Sequence, residues 1–286
     1  MEEPIFKQFG VNSSEFWAEV RALPKKYRDE QNVKVNEDTI YLNHMINYTK
    51  SGTFRGLNNA MLREFGKDLP FYAGIPEIFT VTKELVEAQD IYKEHDIHVE
   101  HYIVSTGLAE IIRGSKVMPY ITQVWGCEFI EEEKEDGSRE ISEVGYTLDN
   151  TTKTRALFEI NKGVGVIDGI TANTPIPKEA RRVHFINMVY VADGPSDIPA
   201  FSVMNQNGGT TFAVYPRGDM RAIQQVEQLR KDGRIHMLAE ADYSEKSTAR
   251  MWLCNKIEEF AERIREEERS KLAKYSATGE IKHLVD

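Results

Sequence analysis

The chain has 286 residues, and 36 Lys+Arg against 46 Asp+Glu give a formal charge of −10 with His neutral. With 41% hydrophobic and 29% charged residues it has the make-up of a globular protein with a sizeable core, which excludes disorder over most of its length. The acidic surplus argues against a nucleic-acid binder, since phosphate backbones need clustered Lys and Arg; small phosphorylated substrates, read by one or two local charges, stay open.

Residues 13–96 read almost wholly as helix. Ser13 or Ser14 is placed to cap a first helix carrying Phe16, Trp17, Val20 and Leu23, which Pro24 ends or bends. Asn36 is placed to cap a second, closed by Gly52, and a third covers 57–65 before Gly66. Gly74-Ile75-Pro76 opens a fourth with an apolar stripe of Ile78, Phe79, Val81, Leu85 and Val86. After Asp96 the texture changes to short β-rich runs alternating with helical patterns, the mark of a parallel α/β sheet.

In that second block a strand is predicted over 97–104, ending in Ser105-Thr106-Gly107, with a helix over 108–113 and a strand over 122–130. Residues 131–144, centred on Asp136-Gly137, read as an exposed acidic hairpin. A helix follows over 152–161 and a Gly/Pro/Thr loop over 163–177. The run 185–191 is apolar almost throughout, as expected of a strand buried on both faces. Strands over 210–215 and 234–238 flank a helix over 220–231, and a charged helix over 247–274 ends the pattern. The expected organisation is an N-terminal core segment 1–12, a helical unit 13–96, an α/β core 97–275 and a loose tail 276–286.

Cys127 and Cys254 have no metal-ligand spacing, the histidines form no HxH or HExxH pair, and the Gly163–Gly169 run follows a helix rather than a strand, so it is no dinucleotide loop. With no apolar run near the ~18 residues of a membrane span and an acidic Met1-Glu2-Glu3-Pro4 start, the expected location is the cytoplasm, with no membrane partner.

Ligands of open α/β sheets bind at the carboxyl ends of strands, which directs attention to Ser105-Thr106-Gly107 and Asp193-Gly194-Pro195-Ser196-Asp197. Two carboxylates four residues apart after a strand suit a hard cation such as Mg²⁺, although Asp193 and Asp197 also fit a turn and a helix cap. Among lysines, Lys153 begins a predicted helix that aims it at the site; Lys162 and Lys178 are rivals.

Taken in order, these segments resemble the haloacid dehalogenase (HAD) superfamily of phosphohydrolases. Ile103-Val104-Ser105-Thr106-Gly107 is similar to its second motif, Asp149-Asn150-Thr151-Thr152-Lys153-Thr154 to its third, and Val189-Tyr190-Val191-Ala192-Asp193-Gly194-Pro195-Ser196-Asp197 to its fourth. The resemblance implies a HAD-like Rossmannoid parallel sheet with residues 13–96 as a C1-type helical cap. It also implies Ser105 donating to a phosphoryl oxygen, with Thr106 and Gly107 adding backbone N–H groups, and Lys153 neutralising phosphate charge. Asp193 would ligate Mg²⁺, and Asp197 would support the metal or Lys153.

Alanine at 192 departs from the common Gly-Asp-Gly, and the first motif, Asp-x-Asp-x-Thr on a central strand, occurs nowhere in the chain. The nucleophile is therefore missing from this sequence. Omitting that strand would expose two strand edges, so the expectation is that Met1 is internal and the protein begins about 15 to 30 residues upstream, one strand plus a loop. The implied activity is a Mg²⁺-dependent phosphatase of a small phosphorylated substrate; the alternative is a non-catalytic phosphate- or metal-binding module.

Overall fold

The computed structural model describes residues 1–278 and is mixed α/β, with parallel strand pairs and flanking helices. By its internal contacts the chain falls into two units: Met1–Phe71 with Tyr102–Leu238, and Tyr72–His101 with the chain from Ala239 onward.

The first unit starts with helices α1 (Glu3–Phe9), α2 (Ser13–Gln31), α3 (Ile40–Lys50) and α4 (Asn59–Phe65). Asn12, not Ser13 or Ser14, caps α2, its side chain accepting from Glu15 N–H at 3.2 Å. Pro24 does not end this helix, which reaches a left-handed Asn32 while Phe16, Val20 and Leu23 stay buried on one face. Asn36 precedes α3 by a turn: its carbonyl accepts from Ile40 N–H and its side chain from Asp38 N–H.

Helices α5 (Glu77–Glu87) and α6 (Asp90–Lys93) belong to the second unit. The chain then returns through strand β1 (Tyr102–Leu108), helix α7 (Ala109–Arg113) and the hairpin β2 (Gln123–Glu133) and β3 (Arg139–Tyr146). The strand expected over 97–104 thus begins at Tyr102. Ile97 instead packs with Val86, Tyr92 and Ala261 in the core of the second unit, so its apolar side chain serves helices rather than a sheet. Helix α8 (Lys153–Lys162) precedes β4 (Val189–Ala192), α9 (Ile198–Gln206), β5 (Thr210–Tyr215), α10 (Met220–Lys231) and β6 (Met237–Glu240). A long helix, α11 (Thr248–Thr278), follows in the second unit, so residues 276–278 of the expected tail are helical and the rest lies outside the described residues.

Two three-stranded sheets result, ordered β1-β2-β3 and β4-β5-β6. β1 and β2 are parallel, as are β4 and β5, while β2 and β3 are antiparallel. β1 and β4 are therefore edge strands. The run 185–191 is not a strand buried on both faces: Phe185–Asn187 is a 3₁₀ turn, and Val191 is 37% exposed.

Helix α8 packs on β1 and α9, and α9 on β4 and β5, so these helices tie the sheets together. Ile5, Phe6, Phe16, Leu42, Phe54 and Leu62 from the N-terminal helices and the turn after α3 share one apolar cluster with Trp125, Leu157, Phe201 and Ala213 from the sheets and their helices. The helical segment predicted as a separate unit over 13–96 is thus divided: up to Phe71 it shares the sheets' core, and from Tyr72 it belongs to the second unit. Gly114, at the end of α7, makes the α4 contact feasible, because a Cβ there would stand 1.7 Å from Arg63 O. No helix of the described residues is long and apolar enough to cross a membrane.

Candidate functional site

Ser105, Thr106 and Gly107 lie inside β1 rather than beyond its end. Pairing with β2 jumps from Val104–Trp125 to Leu108–Cys127, so the three residues bulge from the ladder. The bulge folds Ser105 back: its Oγ accepts from Gly107 N–H at 3.1 Å, which takes up one amide that sequence reasoning assigned to an anion. Ser105 keeps its own O–H proton for another acceptor. The Met1 side chain lies against Gly107. Helix α7 beyond it has only 5 residues and adds little dipole.

Lys153 is the first residue of α8. The turn in front is built by Asp149, whose Oδ1 accepts from Thr151 N–H at 2.9 Å, Thr152 N–H at 2.7 Å and Thr152 O–H at 2.9 Å. These donors, Thr152 N–H foremost, hold the Asp149 carboxyl below the usual aspartate range against the opposing effect of burial. A depressed carboxyl stabilises the fold fully above its unfolded pKa and loses that contribution as pH falls through the folded one. Asp149→Ala is expected to cost about 0.5–2 kcal/mol at pH 7, as loss of a helix-start cap does. In urea unfolding the gap to wild type should close progressively below about pH 4.

From α8, Lys153 Nζ reaches Asp197 Oδ1 at 2.7 Å, with only 7% and 5% of the two side chains exposed. Tyr190 O–H also donates to Oδ1, at 2.6 Å, and Ser196 O–H to Oδ2 at 3.0 Å. Burial first, and the Asp197 charge second, push the Tyr190 phenol far above its ordinary value, so it stays a donor at all physiological pH. A carboxylate that accepts three donors, one of them cationic, meets the condition for keeping a charge away from water. The two rivals are placed elsewhere: Lys162 Nζ donates to the carbonyls of Ala172 and Thr174 at 2.5 and 2.8 Å, and Lys178 is exposed.

Asp193, just past β4, is exposed. Mg²⁺ takes hard oxygen ligands in near-octahedral array, and Asp197 has both oxygens engaged, one of them by an ammonium. Asp193 is then the one open carboxylate of the predicted pair, and among the described residues no three His, Cys, Asp or Glu gather as a metal site. The residues present do not by themselves fit Mg²⁺.

Sequence reasoning passed over three side chains that shape this region. Tyr190, read as strand core, donates to Asp197. Tyr41, in the second predicted helix, donates to Thr106 O at 2.9 Å, and Cys127 Sγ lies 3.3 Å from the same carbonyl. The one available signal was a tyrosine within each apolar run, since a buried phenol needs a partner.

No family model matches this chain, and no solved structure matches it. The chain is similar to a protein of Borreliella burgdorferi strain B31 described as an uncharacterized protein: 33% of residues are identical over 270, covering 90% of this chain and 91% of that one. The chain belongs to the same family as that protein.

Proposed function

We propose, for a family whose shared sequence spans nearly the whole chain, a HAD-like phosphohydrolase acting on a small phosphorylated molecule. The observation that carries this reading is the Lys153–Asp197 pair. A lysine at a helix start and a carboxylate 44 residues later meet out of solvent, whereas a solvated helix lysine and an ordinary turn aspartate have no reason to meet. In this reading Ser105 O–H donates to a phosphoryl oxygen. Lys153 neutralises developing charge on the phosphoryl group, and Asp197, fixed by Tyr190 and Ser196, aims Lys153 instead of holding a metal.

The sheet edges support the same reading. β1 and β4, which carry the second- and fourth-motif residues, each lack a neighbour on one side. A strand bearing Asp-x-Asp-x-Thr and pairing with both would unite the sheets and supply the nucleophile.

Phosphate release from p-nitrophenyl phosphate in magnesium buffer tests this reading. The 286-residue chain is expected to be inactive. The product of the reading frame extended upstream through an Asp-x-Asp strand is expected to turn over, and Ser105→Ala to lower that turnover. An in-frame stop before any such strand, with inorganic phosphate still bound by the 286-residue chain, would leave the non-catalytic binding module as the function.

A further inference from the structure

Thr106 is the middle residue of the β1 bulge, and its carbonyl is held from two directions. Tyr41 O–H donates to it at 2.9 Å from α3, and Cys127 Sγ stands 3.3 Å away on β2. Cys127 Sγ also accepts from Leu148 N–H at 3.3 Å, in the segment leading to the Asp149 turn and Lys153. The chain just before α3 grips that turn directly: Asn36 Nδ2 donates to Asp149 Oδ2 at 2.8 Å, and Asp38 Oδ2 accepts from Asn150 N–H at 3.3 Å. One short stretch, 36–41, therefore touches both the Ser105 bulge and the turn in front of Lys153.

From these contacts we infer that Tyr41 is a positioning residue: its hydroxyl fixes the Thr106 carbonyl and thereby the direction in which Ser105 presents its O–H to an anion. The inference rests on the proposed phosphoryl site at Ser105. A bulge has no ladder hydrogen bonds of its own to set its shape, so side-chain anchors must do so. The Tyr41 ring is buried and packs 5.7 Å from Trp17. Tyr41→Phe keeps that packing and removes the hydroxyl alone.

The test measures inorganic phosphate affinity of the 286-residue protein by titration calorimetry, with amide hydrogen exchange over 102–108 as the second readout. Tyr41→Phe is expected to weaken phosphate binding about tenfold, the scale of one lost hydrogen bond, and to speed exchange in 102–108 while 210–215 is unchanged. Tyr48→Phe serves as control, because Tyr48 lies on the same helix and donates instead to Glu19; it should bind phosphate as wild type does. Wild type that ignores phosphate, or binds it equally after Ser105→Ala, overturns the phosphoryl site and this inference with it. Ser105-dependent binding that survives Tyr41→Phe intact overturns the inference alone. Equal weakening by Tyr41→Phe and Tyr48→Phe, with faster exchange throughout, would mean a structural role and also overturns it.

Discussion

Replacing Lys153 by methionine is expected to lower unfolding stability by about 3–5 kcal/mol, the cost of leaving one member of a buried ion pair uncompensated. Methionine keeps the length and apolar stem of lysine, so most of the loss comes from the stranded Asp197 carboxylate rather than from a cavity. Asp197→Leu alone should be about as damaging, because it strands an ammonium and frees the Tyr190 hydroxyl in the interior. The double variant Lys153→Met/Asp197→Leu should recover part of the loss, since two apolar groups of similar volume need no compensation while the Tyr190 hydroxyl stays without its acceptor. Urea unfolding of all four proteins, with the coupling energy from the cycle, gives the answer. Near-additive losses would mean that the two charges are solvated and do not depend on each other. A recovered double variant that no longer binds phosphate would separate the role of the pair in function from its role in stability.

Phe16→Ala is expected to cost about 3–5 kcal/mol, the usual range for truncating a fully buried aromatic. The Phe16 ring lies 4.9 Å from Phe6, 6.2 Å from Phe54 and 5.3 Å from Tyr48, so these three rings lose a contact together. The way the protein unfolds matters as much as the size of the loss. Because these rings share one cluster with Trp125, Leu157 and Phe201, exchange protection in β2 and α9 should fall with that in α2. A helical segment that melts while β2 keeps wild-type protection would instead mark residues 13–71 as a separately folding cap. Hydrogen exchange resolved by segment decides between the two.

Local signals in the sequence located elements well where the chemistry is local. The strand 210–215 and the helix 220–231 emerge at the bounds read from the sequence; Asp219 starts that helix by accepting from Arg221 and Ala222 N–H. The hairpin centred on Asp136-Gly137 forms, with Gly137 at φ 80°. Partners distant in sequence were not legible. Ile97 and Val99 have strand character, yet alternation says nothing of what an apolar face will meet, and they meet helices. Lys153 stands out for its place at a helix start, and the resemblance alone offers Asp197 as support for either the metal or Lys153; the fold places it on Lys153. That the Ser105 turn would be a bulge depends on how β1 registers against β2, which no residue within β1 specifies.

The interleaving of the two units sets the order in which the chain can mature on the ribosome. The first unit's opening stretch, through Phe71, waits for residues up to Leu238 before its core is complete. At usual elongation rates that is about 10 to 30 s with the Phe6, Phe16 and Phe54 side chains lacking their distant packing partners. The second unit is nested the other way, since α5 and α6 emerge early and their partner α11 is made last. Neither unit can finish as its first residues appear. Newly made chains are therefore exposed to chaperones and proteases for most of synthesis, and a premature stop within α11 would deprive α5 and α6 of the helix they pack against.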